Sequence, residues 1–225
     1  MKFTTLICIV LALAVSGYGQ QTVAHKARAS SVTWKISNLK SIDGHVPTVL
    51  GAPQLIKAPG GKALLFDGTD DGLLVEANPI AGAQSFTVEA FFRPDPEGNK
   101  EQRWFHIQEA TGDNRVLLEV RLVGDEWFLD TFIKQGEHRL TLYAEHFKHP
   151  LGRWYHVALV FDGAEMRHYV DGQEELSGPL TIAPLTNGSV AIGMRMNRVQ
   201  WFKGAIRAAR FTPRALTPQK FMKQK

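Results

Sequence analysis

Short apolar runs and alternating apolar and polar residues follow one another along the chain, and Gly, Pro, Asn or Asp interrupts them roughly every ten residues. Alternation with a period of two indicates strands with one buried face. Only Thr217–Lys225 has helical character. The pattern predicts strands at Thr33–Ile36, Ala63–Phe66, Leu73–Val75, Phe86–Arg93, Trp104–Gln108, Val116–Val123, Trp127–Lys134, Arg139–Ala144, Trp154–Asp162, Met166–Val170, Ser189–Ile192 and Gly204–Phe211.

Turn signals between these runs indicate how the strands pair. Asp-Gly and Asn-Gly pairs such as Asp171-Gly172 favour tight hairpin turns, because both residue types tolerate a positive φ. The run that ends at Asp162-Gly163 and the run Met166–Val170 are predicted to form a hairpin. We therefore expect an all-β fold in which two antiparallel sheets pack face to face as a β-sandwich.

The first residues have the pattern of a secretory signal peptide. Lys2 precedes the apolar run Leu6–Val15, and the small residues Gly17 and Gly19 stand ahead of a predicted cleavage site before Gln20. The run is shorter than the roughly 20 apolar residues of a membrane span. We expect a signal peptide at residues 1–19, a polar linker at residues 20–31 and one domain at residues 32–225, in a protein that is secreted or periplasmic and has no membrane span.

Composition and charge narrow the possible chemistry. The chain has 225 residues and a formal net charge of +4, which is too slight to imply a nucleic-acid partner. Its one cysteine, Cys8, lies in the predicted signal peptide. The mature protein is therefore expected to have no disulfide, no catalytic thiolate and no cysteine metal site.

Five phrases in the chain, taken in order, resemble one family. They are Phe66-Asp67-Gly68-Thr69-Asp70-Asp71, Phe86–Pro94, Trp154-Tyr155-His156-Val157-Ala158, Tyr169-Val170-Asp171-Gly172 and Trp201–Ile206. In this order and spacing they are similar to the laminin-G-like branch of the concanavalin A-like lectin/glucanase superfamily. The resemblance implies a jelly-roll β-sandwich in an extracellular domain whose curved sheet, or the loops at its rim, contacts carbohydrate.

The resemblance also raises the question of calcium. Members of the family often bind the ion through acidic residues near the Phe-Asp-Gly phrase, here Asp67, Asp70 and Asp71, and through an acidic residue after a late Gly-x-Ile, where this chain has Arg207. A guanidinium cannot ligate a hard cation. We therefore expect no metal or other cofactor, with Arg207 replacing the ion by a salt bridge; calcium on Asp67, Asp70 and Asp71 is the alternative.

Strand alternation predicts a polar field on one face of a sheet. The predicted members are Trp104, His106, Gln108, Glu119, Arg121, Asp130 and Tyr143, while neighbours such as Phe105 and Val120 point to the other side. One interpretation is a ligand-binding surface. The other is that an antiparallel sheet simply needs one solvated polar face.

The polar field is compatible with two functions. We favour a non-catalytic carbohydrate-binding or adhesion module for a polysaccharide or glycoconjugate, in which the field supplies hydrogen bonds and Trp104 an apolar platform. The alternative is an enzyme, a lyase for acidic polysaccharides, with Arg121 or Gln108 neutralising a uronate and Tyr143 or His106 exchanging protons. The paired-carboxylate run of glycosidases on this fold is absent.

The C-terminal part of the chain is basic. Arg207, Arg210, Arg214, Lys220, Lys223 and Lys225 are expected to form a solvated terminal segment; an anionic glycan is an alternative partner, whereas export argues against nucleic acid.

Overall fold

A computed structural model describes residues 30–223. The predicted signal peptide, Cys8 within it and most of the predicted linker lie outside the described residues. Within residues 30–223, no helix has the length and hydropathy needed to cross a membrane.

The described chain consists of strands and one 3₁₀ helix, Pro218–Lys220. In chain order the strands are β1 (Val32–Lys35), β2 (Thr48–Leu50), β3 (Gln54–Ala58), β4 (Gly61–Asp67), β5 (Gly72–Val75), β6 (Phe86–Pro94), β7 (Glu101–Glu109), β8 (Arg115–Val123), β9 (Glu126–Gln135), β10 (His138–Tyr143), β11 (His149–Pro150), β12 (Tyr155–Phe161), β13 (Glu165–Val170), β14 (Gln173–Pro179), β15 (Gly188–Ile192) and β16 (Lys203–Thr212).

These strands form two antiparallel sheets of eight strands each. The first sheet has the order β14-β13-β12-β6-β16-β4-β3, with β1 paired to β16, and the second has the order β10-β9-β8-β7-β15-β5-β2, with β11 paired to β9. The predicted β12–β13 hairpin is present, and Asp171-Gly172 forms a two-residue turn between β13 and β14 with both φ angles positive. The prediction of an all-β fold in which two antiparallel sheets pack as a β-sandwich is confirmed.

Aromatic side chains join the two sheets. Phe92 of the first sheet stacks on Trp104 of the second, with ring centres 4.6 Å apart, and meets Trp127 edge-on at 5.1 Å. All three side chains are fully buried. Each large ring removes roughly 150–250 Å² from water, so these residues dominate the apolar burial that holds the layers together.

A β-bulge in β7 changes which side chains face the core. Arg103 pairs with Glu119 and Phe105 with Leu118, so Trp104 is an extra residue in the strand. Trp104 and Phe105 therefore both lie in the core, and both are fully buried. The expectation that Trp104 shares the polar face and offers a platform to a sugar is wrong, because the bulge interrupts the two-residue period.

Candidate functional site

Four neighbouring strands bring one row of polar residues together on the outer face of the second sheet. Arg103 on β7 lies opposite Glu119 on β8, Glu119 opposite Asp130 on β9, and Asp130 opposite Tyr143 on β10. Their side chains face outward because the residues between them, such as Val120, are fully buried in the core. The alternation pattern predicted this placement for Glu119, Arg121, Asp130 and Tyr143.

A network of ion pairs covers this part of the outer face of the second sheet. Arg121 donates from Nε and Nη2 to Oδ2 of Asp130 at 2.8 and 2.7 Å, and from Nη2 to Oε2 of Glu119 at 3.3 Å. Arg103 donates from Nε to Oε1 of Glu119 at 2.5 Å. Glu101 contacts both guanidinium groups. The guanidinium of Arg121 is therefore already paired with carboxylates of its own chain.

Glu119 and Asp130 form a buried pair of carboxylates, with exposed fractions of 3% and 1%. Burial, followed by the nearby charge of Asp130, raises the pKa of Glu119 to about 7, although Arg103 and Arg121 act in the opposite direction. Two adjacent carboxylates on neighbouring strands resist full ionisation, and a proton near neutral pH relieves that repulsion.

A small pocket of about 180 Å³ lies above this network, and we call it the arginine pocket. Its lining consists of Arg103, Arg115, Leu117, Glu119, Arg121, Asp130, Phe132, Thr141 and Arg195. Two buried polar atoms of these residues, Oδ1 of Asp130 and Nε of Arg115, have no hydrogen-bond partner within residues 30–223. Both residues line the pocket, whereas these two atoms are themselves buried from solvent.

Arg195 adds a positive charge to the pocket from the loop after β15. It is half-buried, and no carboxylate of the described chain pairs with it. Burial, together with the charges of Arg103 and Arg115, lowers the pKa of Arg195. A negatively charged or strongly polar group bound in the arginine pocket would relieve this repulsion.

His106 and Gln108 face outward but do not join the pocket. His106 is 1% exposed, and its Nδ1 accepts the backbone N–H of Met196 at 2.9 Å. Burial and the neighbouring arginines lower the pKa of His106 to about 3, so the ring is neutral at pH 7. The side-chain amide of Gln108 donates to the carbonyl of Gly112 at 3.1 Å.

The lyase alternative assigns the acid and the base to His106 and Tyr143, and these two residues are far apart in the structure. His106 and Tyr143 lie on β7 and β10, which are separated by three strand spacings, or roughly 14 Å at about 4.8 Å each. They also occupy different rows of the sheet, because His106 pairs with Leu117 whereas Tyr143 belongs to the row of Glu119. In β-elimination the base takes the proton from the carbon beside the carboxylate, and the acid protonates the oxygen that leaves the adjacent carbon, so the base and the acid must each lie within hydrogen-bond reach of neighbouring atoms of one sugar linkage.

Tyr143 lies next to Arg121, one of the residues that line the arginine pocket. Its side chain is 47% exposed, its ring meets Phe128 edge-on at 4.7 Å, and the guanidinium of Arg121 lies 5.7 Å from the ring centre. An exposed ring beside polar groups is a surface on which a sugar ring can pack.

Three pocket residues were missed by the sequence analysis. Arg115 stands one residue ahead of the predicted strand Val116–Val123 and in phase with Glu119 and Arg121, so a strand longer by one residue would have included it. Arg103 reaches the face only because of the bulge at Trp104. Arg195 lies in a loop, where no periodicity exists to predict its direction.

The three aspartates of the calcium alternative do come together. Asp67, Asp70 and Asp71 each place one carboxylate oxygen within 4.8 Å of the others. However, Asp71 accepts the backbone N–H groups of Ala52 at 2.6 Å and Asp67 at 3.0 Å, and burial raises its pKa. The backbone N–H groups of the turn therefore already satisfy the buried carboxylate without a cation.

Arg207 does not take the place of an ion at this cluster. Its Nη1 donates to the carbonyl oxygen of Pro59, and its guanidinium lies 4.4 Å from the centre of the Phe91 ring. The expectation that Arg207 forms a salt bridge there is wrong. The reason is the strand register: Lys203 of β16 pairs with Asp67, so Arg207 lies four residues farther along the strand, on the outer face of the first sheet.

Comparison with known proteins agrees with this fold. A family model described as the concanavalin A-like lectin/glucanases superfamily matches residues 67–220. No curated protein sequence is significantly similar to the chain.

Three solved structures illustrate the similarity. Domain 4 of AbnA, an extracellular GH43 arabinanase from Geobacillus stearothermophilus in complex with arabinotriose, is 19% identical with a TM-score of 0.65, covering 86% of this chain and 97% of that one. The binding domain of Paraclostridial Mosquitocidal Protein 1 is 14% identical with a TM-score of 0.64, covering 85% of this chain and 50% of that one. A SAP-like pentraxin from Limulus polyphemus is 18% identical with a TM-score of 0.57, and the match covers 69% of this chain and 77% of the pentraxin chain. At these identities the likeness concerns the fold alone.

Proposed function

This chain belongs to the concanavalin A-like lectin/glucanases superfamily, and on that basis we propose that it is a secreted, non-catalytic module that binds a carbohydrate in the arginine pocket. The observation that carries the proposal is Arg195, a half-buried guanidinium that lines this pocket and with which no carboxylate of the described chain pairs. A partly desolvated charge without a partner is costly, so an anionic or polar ligand group that pairs with it binds favourably.

The charges of the pocket favour a sugar that carries a carboxylate. Four arginines and two carboxylates line it, and Arg195 is the arginine whose charge no carboxylate of the described chain balances. A guanidinium binds a carboxylate through parallel hydrogen bonds. Tyr143, beside the lining residue Arg121, supplies an exposed aromatic ring. The similar domain 4 of AbnA was solved in complex with arabinotriose, so a neutral pentose oligomer is the second ligand class to test.

Calorimetric titration tests the proposal with oligogalacturonate and arabinotriose. We expect at least one of the two to bind, and Arg195→Ala to weaken oligogalacturonate binding about tenfold or more, as loss of a hydrogen bond between charged groups does. The matched control is Arg139→Ala, which removes an exposed arginine from the same sheet face outside the pocket.

Three results would contradict the proposal: no binding of either sugar, equal loss in both variants, or a steady rise in the ultraviolet absorbance of unsaturated uronates during incubation with polygalacturonate. The last result would show lyase activity. Thermal melts of both variants, unchanged from the parent protein, establish that an affinity change does not come from unfolding.

A further inference from the structure

A second depression lies on the outer face of the first sheet, on the other side of the sandwich from the arginine pocket. It measures about 680 Å³, and β1, β4, β16 and the chain after the 3₁₀ helix form its walls. Thr33 and Lys35 point into it because Trp34 between them is buried in the core. We call this depression the basic groove; its cationic residues are Lys35, Lys62, Arg207, Arg210 and Lys223.

A bulge in β16 places one guanidinium at the base of the groove. Ile206 pairs with Phe92 and Ala208 with Phe91, which leaves Arg207 as the extra residue. Its hydrogen bond to the carbonyl of Pro59 and its contact with the Phe91 ring hold the guanidinium in one position. A donor that is fixed before the ligand arrives binds with a smaller loss of side-chain entropy.

A buried carboxylate anchors the far wall of the groove. Glu89 has no exposed surface, accepts from Nε of Arg210 at 2.6 Å, and accepts the backbone N–H of Met222 at 2.7 Å. It also lies 3.1 Å from Nε2 of His156. Glu89 therefore fixes both Arg210 and the terminal segment that carries Lys223.

The groove has an excess of positive charge. No acidic side chain lines it, and Glu89 neutralises only Arg210. Within residues 30–223, no carboxylate forms an ion pair with the other four cations, which are Lys35, Lys62, Arg207 and Lys223. Burial lowers the pKa of Arg207, as expected for a cation that has lost part of its hydration without gaining an anion.

We propose that the basic groove binds an anionic polysaccharide through the sulfate or carboxylate groups of its sugars. The volume falls in the range of sites that enclose a ligand of several rings. Phe91, the aromatic residue of the groove, is 2% exposed and covered by Arg207, so it offers no face on which a nucleobase could stack. Recognition therefore depends on the charges of the polymer.

The test compares polymers and variants that differ only in charge. Binding of dextran sulfate, polygalacturonate, uncharged dextran and single-stranded DNA is measured for the full chain by affinity electrophoresis at two salt concentrations. We expect the anionic polysaccharides, but not dextran, to bind, and binding to weaken as salt rises. The variant Lys35→Ser/Lys62→Ser should bind dextran sulfate about tenfold more weakly, since two exposed ionic contacts are lost.

A control variant separates the groove from net charge. Lys100→Ser/Lys148→Ser removes two exposed lysines outside the groove and should change binding less than threefold. Equal losses in both double variants, or binding of dextran as strong as of dextran sulfate, would overturn the proposal. DNA bound more tightly than dextran sulfate at equal salt would replace it with a nucleic-acid site. Lys35→Ser/Lys62→Ser tests the basic groove and Arg195→Ala tests the arginine pocket, so failure of one proposal is distinguishable from failure of the other.

Discussion

Arg121 binds two buried carboxylates, Glu119 and Asp130, and its removal leaves both without their shared partner. From the alternation pattern alone, the Arg121 side chain is predicted to be available to a ligand, and its removal is predicted to change the stability of the protein little. We instead expect Arg121→Ala to lower the free energy of unfolding by about 3 kcal/mol, because an uncompensated buried charge is costly. Urea unfolding measures this change, and Arg139→Ala, at an exposed site, is the control. A loss below about 0.5 kcal/mol in Arg121→Ala would contradict the network.

The raised pKa of Glu119 gives stability a defined pH dependence. The folded-state pKa is about 7 and the ordinary value is 4.5, so the folded protein holds this proton more tightly between those values. The stabilisation is fully present below pH 4.5 and is lost as pH rises through 7. We expect the melting temperature of the parent protein, relative to Glu119→Gln, to fall between pH 4.5 and pH 7.5. If the melting temperatures of the parent protein and of Glu119→Gln changed in parallel across this pH range, the raised pKa of Glu119 would be contradicted.

The individual site residues show what alternation can and cannot predict. Glu119, Arg121 and Asp130 share a face because β8 and β9 keep the two-residue period throughout. Trp104 departs from the prediction because a bulge adds one residue, and no residue type in β7 signals it. Arg195 lies in a loop, whose direction depends on tertiary contacts rather than on local pattern.

At the scale of the strand, β8 has one face in the core and one outer face that lines the arginine pocket. Val120 is fully buried between the sheets, whereas Val123 at the end of the same strand is 47% exposed. We expect Val120→Asp to unfold the protein, because a carboxylate would be buried without a partner. Val123→Asp should remain folded, and circular dichroism with thermal melting distinguishes the two. Equal stability of the two variants would contradict the placement of Val120.

The strands that the sequence pattern missed share a physical feature. β3 and β14 are the outer strands of the first sheet and β2 of the second, while β11 contributes two residues beside β9. An edge strand has one unpaired side and tolerates charged, Gly and Pro residues, so its apolar signal is weak. Interior strands such as β6 and β12 are buried on both faces and are rich in apolar residues, which form a continuous run at Val157–Phe161 of β12.

At the scale of the whole molecule, we expect the described core to hold the fold without an ion bound at the aspartate cluster. Asp71 is satisfied by backbone N–H groups of Ala52 and Asp67. We therefore expect the melting temperature to be unchanged by EDTA. An ion bound only to the native state stabilises it by RT ln(1 + [L]/Kd). A fall of several degrees in EDTA, reversed by calcium, would establish Asp67, Asp70 and Asp71 as ligands.

The burial of Trp34, Trp104 and Trp127 between the sheets has a consequence for the tryptophan fluorescence of the protein. Indole fluorescence shifts to longer wavelength when water reaches the ring, and three of the five tryptophans are fully screened from water in the folded state. The two others, Trp154 and Trp201, are half-buried. The emission spectrum therefore reports separation of the two sheets, while a sugar bound on either outer face leaves the three interior rings in the same environment.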